Sequence, residues 1–166
     1  GRPDVNVPEA DGMTALHWAV YGDDADMVQL LLTAGASPKP MSRYGITPLS
    51  IASESGNLAI ADRLLQAGAD PNAAASGSTA LHVAARGGKL EVAKLLVAHG
   101  ATVNPREEWF RETPLMLAAA ENHPEMARYL IEAGADVNAV TTISQLQVPP
   151  GYPNTTYAQI PKGGLT

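Results

Sequence analysis

The sequence predicts an all-α solenoid made of antiparallel helix pairs joined by short β-hairpin-like loops. Three observations predict it. A four-residue signature recurs at Thr14-Ala15-Leu16-His17, Thr47-Pro48-Leu49-Ser50, Thr79-Ala80-Leu81-His82 and Thr113-Pro114-Leu115-Met116. Each Thr is followed 21 residues later by a Gly-Ala pair, at Gly35, Gly68, Gly100 and Gly134. The composition is rich in Ala, with 28 residues, and poor in aromatics, with a single Phe, as suits helices packed very close together. The distance from each Gly to the next Thr varies between 11 and 13 residues, so rigid units are joined by tolerant surface loops.

Each unit reads as a first helix, a polar break and a second helix. The Thr opens the first helix as an N-cap, accepting a bond from a free backbone N–H one turn on. Pro48 and Pro114 then fall at the first helical position, where a missing N–H costs nothing. Ala19, Ala52, Ala84 and Ala118 share one place in the first helix, where a small side chain admits a neighbour. Gly22-Asp23-Asp24 and Ser55-Gly56-Asn57 are breaks. Val28, Leu31 and Leu32, and Val92, Leu95 and Leu96, give second helices an apolar face at helical spacing. The Gly of Gly-Ala fits the left-handed residue just past a helix end. Helices this short are marginal alone in water, so they must bury their apolar faces on the next repeat.

The pattern Gly-x-Thr-Ala/Pro-Leu-His, then Leu-Leu, then Gly-Ala-Asp-x-Asn, with a period near 33 residues, resembles the ankyrin repeat. It covers residues 4–139, from Asp4-Val5-Asn6 to Asn138. Three positions depart from it: Asp23 for a Gly between helices, Lys39 for the loop Asn and Arg111 for the Gly ahead of Thr113. These should alter local turns and leave the stack intact. The register divides the chain into a preceding repeat's tail (1–10), repeats at 11–43, 44–75, 76–109 and 110–139, an inserted loop at 140–163, and the start of a further repeat at 164–166. The expected parent is a longer array. The insertion, with Pro149, Pro150, Tyr152 and Tyr157, reads as a solvated loop, or alternatively as a finger touching a partner.

A net charge of −6 argues against nucleic acid or an anionic membrane as the main partner. The absence of cysteine removes disulfides, Cys-ligated zinc and thiol catalysis. No apolar run approaches the ~18 residues that span a bilayer. A soluble, monomeric chain is expected, exported only if sequence ahead of Gly1 carries a signal peptide. No catalytic residue, metal site or cofactor is expected. His17 and His82 share one slot two repeats apart, too far for a common metal. The resemblance implies that they bond neighbouring backbone and the cap Thr. Asp23, Asp24 and Asp26 lack the glycine and distal Glu of a calcium loop and read as a solvated turn. Glu107 and Glu108 read as charges at a hairpin tip, and Trp18 as packing between repeats.

What remains is a binding surface. The resemblance implies a protein partner, of unknown identity, held on the concave face by the hairpin tips and the exposed side of the first helices. By register this row contains Met13, Tyr21, Arg43, Tyr44, Ile46, Glu54, Arg86, Trp109, Phe110, Glu112 and Glu121. Tyr, Trp and Arg are the usual interface anchors. Trp109 and Phe110 equally fit local packing against the longer loop between repeats three and four. The expected function is a non-catalytic scaffold for protein–protein interaction. The alternative is a regulatory or targeting segment of a larger multidomain enzyme.

Overall fold

A computed structural model describes residues 4–74, 77–108 and 110–141. The sequence places the insertion at 140–163, and from residue 142 onward it lies outside the described residues, as does Trp109. Eight helices are formed among the described residues: α1 Ala15–Tyr21, α2 Ala25–Thr33, α3 Pro48–Ser55, α4 Leu58–Gln66, α5 Ala80–Arg86, α6 Leu90–Ala98, α7 Pro114–Ala120 and α8 Pro124–Glu132. They pair as α1/α2, α3/α4, α5/α6 and α7/α8. The first helices of successive pairs pack closely in one layer, α1 on α3, α3 on α5 and α5 on α7, and the second helices form a looser outer layer. Ala19, Ala52, Ala84 and Ala118 are all buried in the inner layer, where the absent side-chain bulk sets the close approach. Leu16, Leu49 and Leu81, with Leu64, Leu96 and Leu130 from the outer helices, fill one continuous core.

Capping follows two schemes. In α3 the Thr47 hydroxyl accepts the Ser50 N–H at 3.1 Å, while the Ser50 hydroxyl accepts the Thr47 N–H at 3.0 Å, a reciprocal capping box. Thr113 accepts the Met116 N–H at 3.4 Å. Where the third residue is His, its imidazole takes the reciprocal place in the capping box. The Thr14 and Thr79 N–H groups donate to Nδ1 of His17 and His82 at 3.0 and 3.1 Å. Second helices α2 and α4 are capped by Asp24 and Asn57, which accept from Met27 and Ile60 N–H at 2.9 and 3.0 Å. Gly35, Gly68, Gly100 and Gly134 follow the second helices at φ between 88° and 95°.

The departures from the repeat pattern leave the backbone path unchanged. Asp23 and Asn122 take the left-handed conformation (φ 57° at both) that Gly56 and Gly88 take in the other pairs. Arg111 does so at φ 59°, in the place of a glycine. Asn and Asp tolerate that region; a long side chain is strained there.

Candidate functional site

The hairpin tips are closed by backbone bonds from Glu9 N–H to Met13 O, Ser42 N–H to Ile46 O and Glu107 N–H to Glu112 O, at 2.7 to 3.1 Å, and the Gly12 and Gly45 N–H groups add bonds to Glu9 O and Ser42 O at 2.9 Å. Each tip is also tied from inside by a side chain. The Asp11 carboxylate accepts the Met13 N–H at 2.9 Å, and the Ser42 hydroxyl accepts the Ile46 N–H at 3.1 Å. The Glu107 carboxylate accepts the N–H groups of Phe110 and Glu112. Glu107 is therefore buried beneath its hairpin, at 8% exposure, and is not the solvated tip charge that the sequence suggested. Neighbouring tips lean on each other, with Arg43 N–H donating to Asp11 O at 2.8 Å. Gly77 (φ 78°) lies so close under the next hairpin that a Cβ there would meet Glu108 N at 2.7 Å and Glu107 Cα at 2.8 Å.

The two buried histidines pin this edge to the stack. Since Nδ1 accepts a backbone N–H, the ring proton sits on Nε2. His17 Nε2 then donates to Ile46 O at 3.1 Å and His82 Nε2 to Glu112 O at 3.2 Å, each across to the next repeat. Burial lowers the pKa of both below the usual imidazole value, against the opposing pull of those carbonyls. Both rings are therefore neutral structural pins. His123 makes a comparable bond, Nε2 to Arg86 O at 2.9 Å, between the turn of the last pair and the end of α5.

On this frame the row is presented to solvent. Tyr21 and Tyr44 are 72% and 77% exposed, and Phe110 63%. Arg43, Ile46, Glu54, Arg86 and Glu121 are exposed, and Glu112 is half-buried. Tyr21 and Arg86 end α1 and α5, Glu54 lies in the last turn of α3, and Glu121 caps α7. Tyr44 and Phe110 sit on hairpin tips. Met13 departs from the row: it is 8% exposed and joins the core. Trp18 reverses its expectation. It is 48% exposed and stands edge-on to Tyr21, ring centroids 6.1 Å apart, so it packs between no two repeats of the described chain.

Sequence reasoning missed a second ladder. Asn6 Nδ2 donates to Gly35 O at 3.1 Å, and Asn6 Oδ1 accepts the Ser37 N–H at 2.7 Å. Asn72 does the same with Gly100 and Thr102, and Asn104 with Gly134 and Asp136. Asp4-Val5-Asn6 and Asp70-Pro71-Asn72 were its signal, with Asn104 in the same register behind Thr102. Lys39 occupies the corresponding place between the first two repeats and supplies neither bond. Among the described residues no three His, Asp or Glu side chains converge as a metal site would require, and no helix is long and apolar enough to cross a membrane.

A family model described as ankyrin repeats (3 copies) matches residues 1–75 and 73–141. Among curated proteins, the chain is 34% identical over 145 residues to a putative palmitoyltransferase ZDHHC13 of Danio rerio, covering 86% of this chain and 22% of that protein. It is 35% identical to the B-cell lymphoma 3 protein homolog of Mus musculus, covering 84% of this chain and 32% of that one. Cyclin-dependent kinase 4 inhibitor B of Mus musculus is 36% identical over 113 residues, with 67% of this chain and 85% of the inhibitor covered. The chain thus spans a third or less of the first two relatives.

Proposed function

This chain belongs to the ankyrin-repeat family, and on that premise we propose that it is a non-catalytic scaffold that grips a partner protein through its hairpin tips and first-helix ends. The observation that carries the reading is the row itself. Tyr21, Arg43, Tyr44, Ile46, Arg86 and Phe110 are exposed on positions that the stack does not use, and they join aromatic, aliphatic and cationic groups on one edge. Tyr and Arg in such a setting combine large contact area with directional hydrogen bonding. Glu54, Glu112 and Glu121 border them with negative charge, and Trp109 belongs to the row by register. Met13 acts from beneath, as the buried support of its hairpin. A relative named as a kinase inhibitor, of which most of the length is covered, is consistent with recognition of protein by such repeats.

The test is affinity capture with the chain against a Tyr21→Ala/Tyr44→Ala/Phe110→Ala variant, with thermal unfolding of both. Loss of a specific bound protein at an unchanged Tm is expected. Equal capture by the variant would place recognition elsewhere. A second reading, a regulatory or targeting segment of a larger enzyme, draws on the relative named as a palmitoyltransferase, of which this chain matches only 22%. The two readings share the row and differ in whether the partner is another part of the same polypeptide.

A further inference from the structure

The seams between successive helix pairs combine apolar packing with polar bonds, and the repeat register lets them be compared bond by bond. Between α1/α2 and α3/α4, His17 Nε2 donates to Ile46 O at 3.1 Å, Asn57 Nδ2 donates to Asp23 Oδ1 at 2.8 Å, and Arg63 donates to Ala25 O. Between α5/α6 and α7/α8, His82 Nε2 donates to Glu112 O at 3.2 Å and His123 Nε2 to Arg86 O at 2.9 Å. Both seams are thus fixed at the hairpin base and again at the turn between helices.

The seam between α3/α4 and α5/α6 has neither bond. Ser50 stands in the place of the histidine and uses its hydroxyl within its own turn, accepting the Thr47 N–H at 3.0 Å and donating to Thr47 O at 2.8 Å. Among the described residues no side chain donates to Ser78 O, the counterpart of Ile46 O and Glu112 O. At the turn, Lys89 stands in the place of Asn57 and His123. Its aliphatic stem lies on Gly56, where an added Cβ would meet Lys89 Cδ at 2.8 Å, and among the described residues it makes no side-chain hydrogen bond to that turn. What crosses this seam is the loop ladder: Asn72 Nδ2 donates to Gly100 O at 2.9 Å, and its Oδ1 accepts the Thr102 N–H and hydroxyl at 2.8 and 3.0 Å. The first seam is the reverse, lacking the ladder at Lys39 and keeping the other bonds. The apolar faces of α3 and α5, and of α4 and α6, still meet. Apolar contact is non-directional and holds two pairs together without fixing their angle, whereas hydrogen bonds fix it.

We propose that this middle seam is a hinge built into the stack, about which helices α1 to α4 and helices α5 to α8 rock as two stiff halves around the Asn72 bonds. The hinge cuts the exposed row between Glu54, in the last turn of α3, and Arg86, at the end of α5. Rocking changes the spacing of those two side chains, and with it the reach from Tyr44 to Phe110. A partner that touches both halves sets the angle. That last consequence rests on the row being the contact surface, and the hinge itself does not.

The chain has no cysteine, so spin labels can be attached at Asp26→Cys and Glu125→Cys, exposed and equivalent positions of α2 and α8. The labels lie roughly 25–30 Å apart, three helix spacings, a separation that double electron–electron resonance measures. The comparison is with the same labelled chain carrying Ser50→His/Lys89→His, which installs both bonds of the last seam. Gly56 (φ 78°) offers a ring at position 89 the same bare backbone that Gly88 (φ 64°) offers His123. The labelled chain should give a broad distance distribution, and the Ser50→His/Lys89→His variant a narrower one with unchanged circular dichroism. The reverse exchange, His82→Ser/His123→Lys, gives the last seam the make-up of the middle one and should broaden the distribution further. A labelled chain already as narrow as the Ser50→His/Lys89→His variant would overturn the hinge, and so would a reverse exchange that leaves the width unchanged. Both measurements use the free chain, so they stand whether or not Tyr21→Ala/Tyr44→Ala/Phe110→Ala loses a bound protein.

Discussion

His82 shows how a single side chain can be read wrongly as chemistry and rightly as structure. It is 1% exposed, its Nδ1 receives a backbone N–H, and its Nε2–H reaches the next repeat. A second proton on Nδ1 would collide with the Thr79 N–H. Burial lowers the pKa of His82 and of His17, so the unfolded chain binds protons that the folded chain refuses. Stability from these groups is complete above about pH 6.5 and is lost as pH falls below it toward the folded pKa. Urea midpoints measured from pH 8 to 5 should decline over that lower window, and less so for His82→Asn. A midpoint that rises on acidification would contradict the assignment. At Lys39 the opposite case arises. Lys39→Asn should supply the missing bonds to Gly68 O and the Asp70 N–H, raising stability by about 0.5–1.5 kcal/mol per bond formed; an unchanged melting curve would count against the ladder. Arg111→Gly should relieve about 1 kcal/mol of left-handed strain, visible as a higher Tm. Lys39 and Arg111 were legible as departures because the repeat supplies its own comparison. Glu107 was not, since a carboxylate in a polar loop looks the same in sequence whether it faces water or the backbone N–H groups of its own hairpin.

The helices were legible because most boundaries carry a local cause: Thr, Asp or Asn at the start, Pro at the first position, Gly after the end; α6 and α8, which start at Lys89 and His123, have no side-chain cap bond. These signals act within one turn and need no knowledge of the rest of the fold. Thr47→Ala should cost about 1 kcal/mol through loss of the capping box, measured by denaturant unfolding. Leu96, fully buried in α6, is held by neighbours on both sides of its repeat. Leu96→Ala should cost about 2–5 kcal/mol, transfer loss plus cavity, in the same assay. Trp18 was misread at this scale. Its position in α1 matches buried positions of α3 and α7, and periodicity reports which face a residue occupies without reporting whether anything covers that face. Met13 failed for the converse reason. Register put it at the edge, where Ile46 stands exposed, and its own side chain packs into the core.

As a whole the molecule separates two jobs. The stack is made of Ala, Leu, Thr, His and Asn, whose bonds run from each repeat to the next. The edge carries Tyr21, Tyr44, Arg43, Arg86 and Phe110, which join the stack through their backbone and leave their side chains to solvent. The first set could be found from the sequence, because self-similarity reveals it. The second could only be placed by register, because binding residues differ from repeat to repeat and have no internal pattern. No pair can keep its apolar face dry by itself, so stability must be shared between neighbours and weakest where one neighbour is lacking. Native-state hydrogen exchange measures this directly. Amides of α3–α6, covered on both sides, should exchange most slowly and near the global unfolding limit, with α1 and α2 opening sooner beside the exposed Trp18 and Met27. Equal protection along all eight helices, or slowest exchange in α1 and α2, would contradict an account in which each pair stands only by leaning on the next.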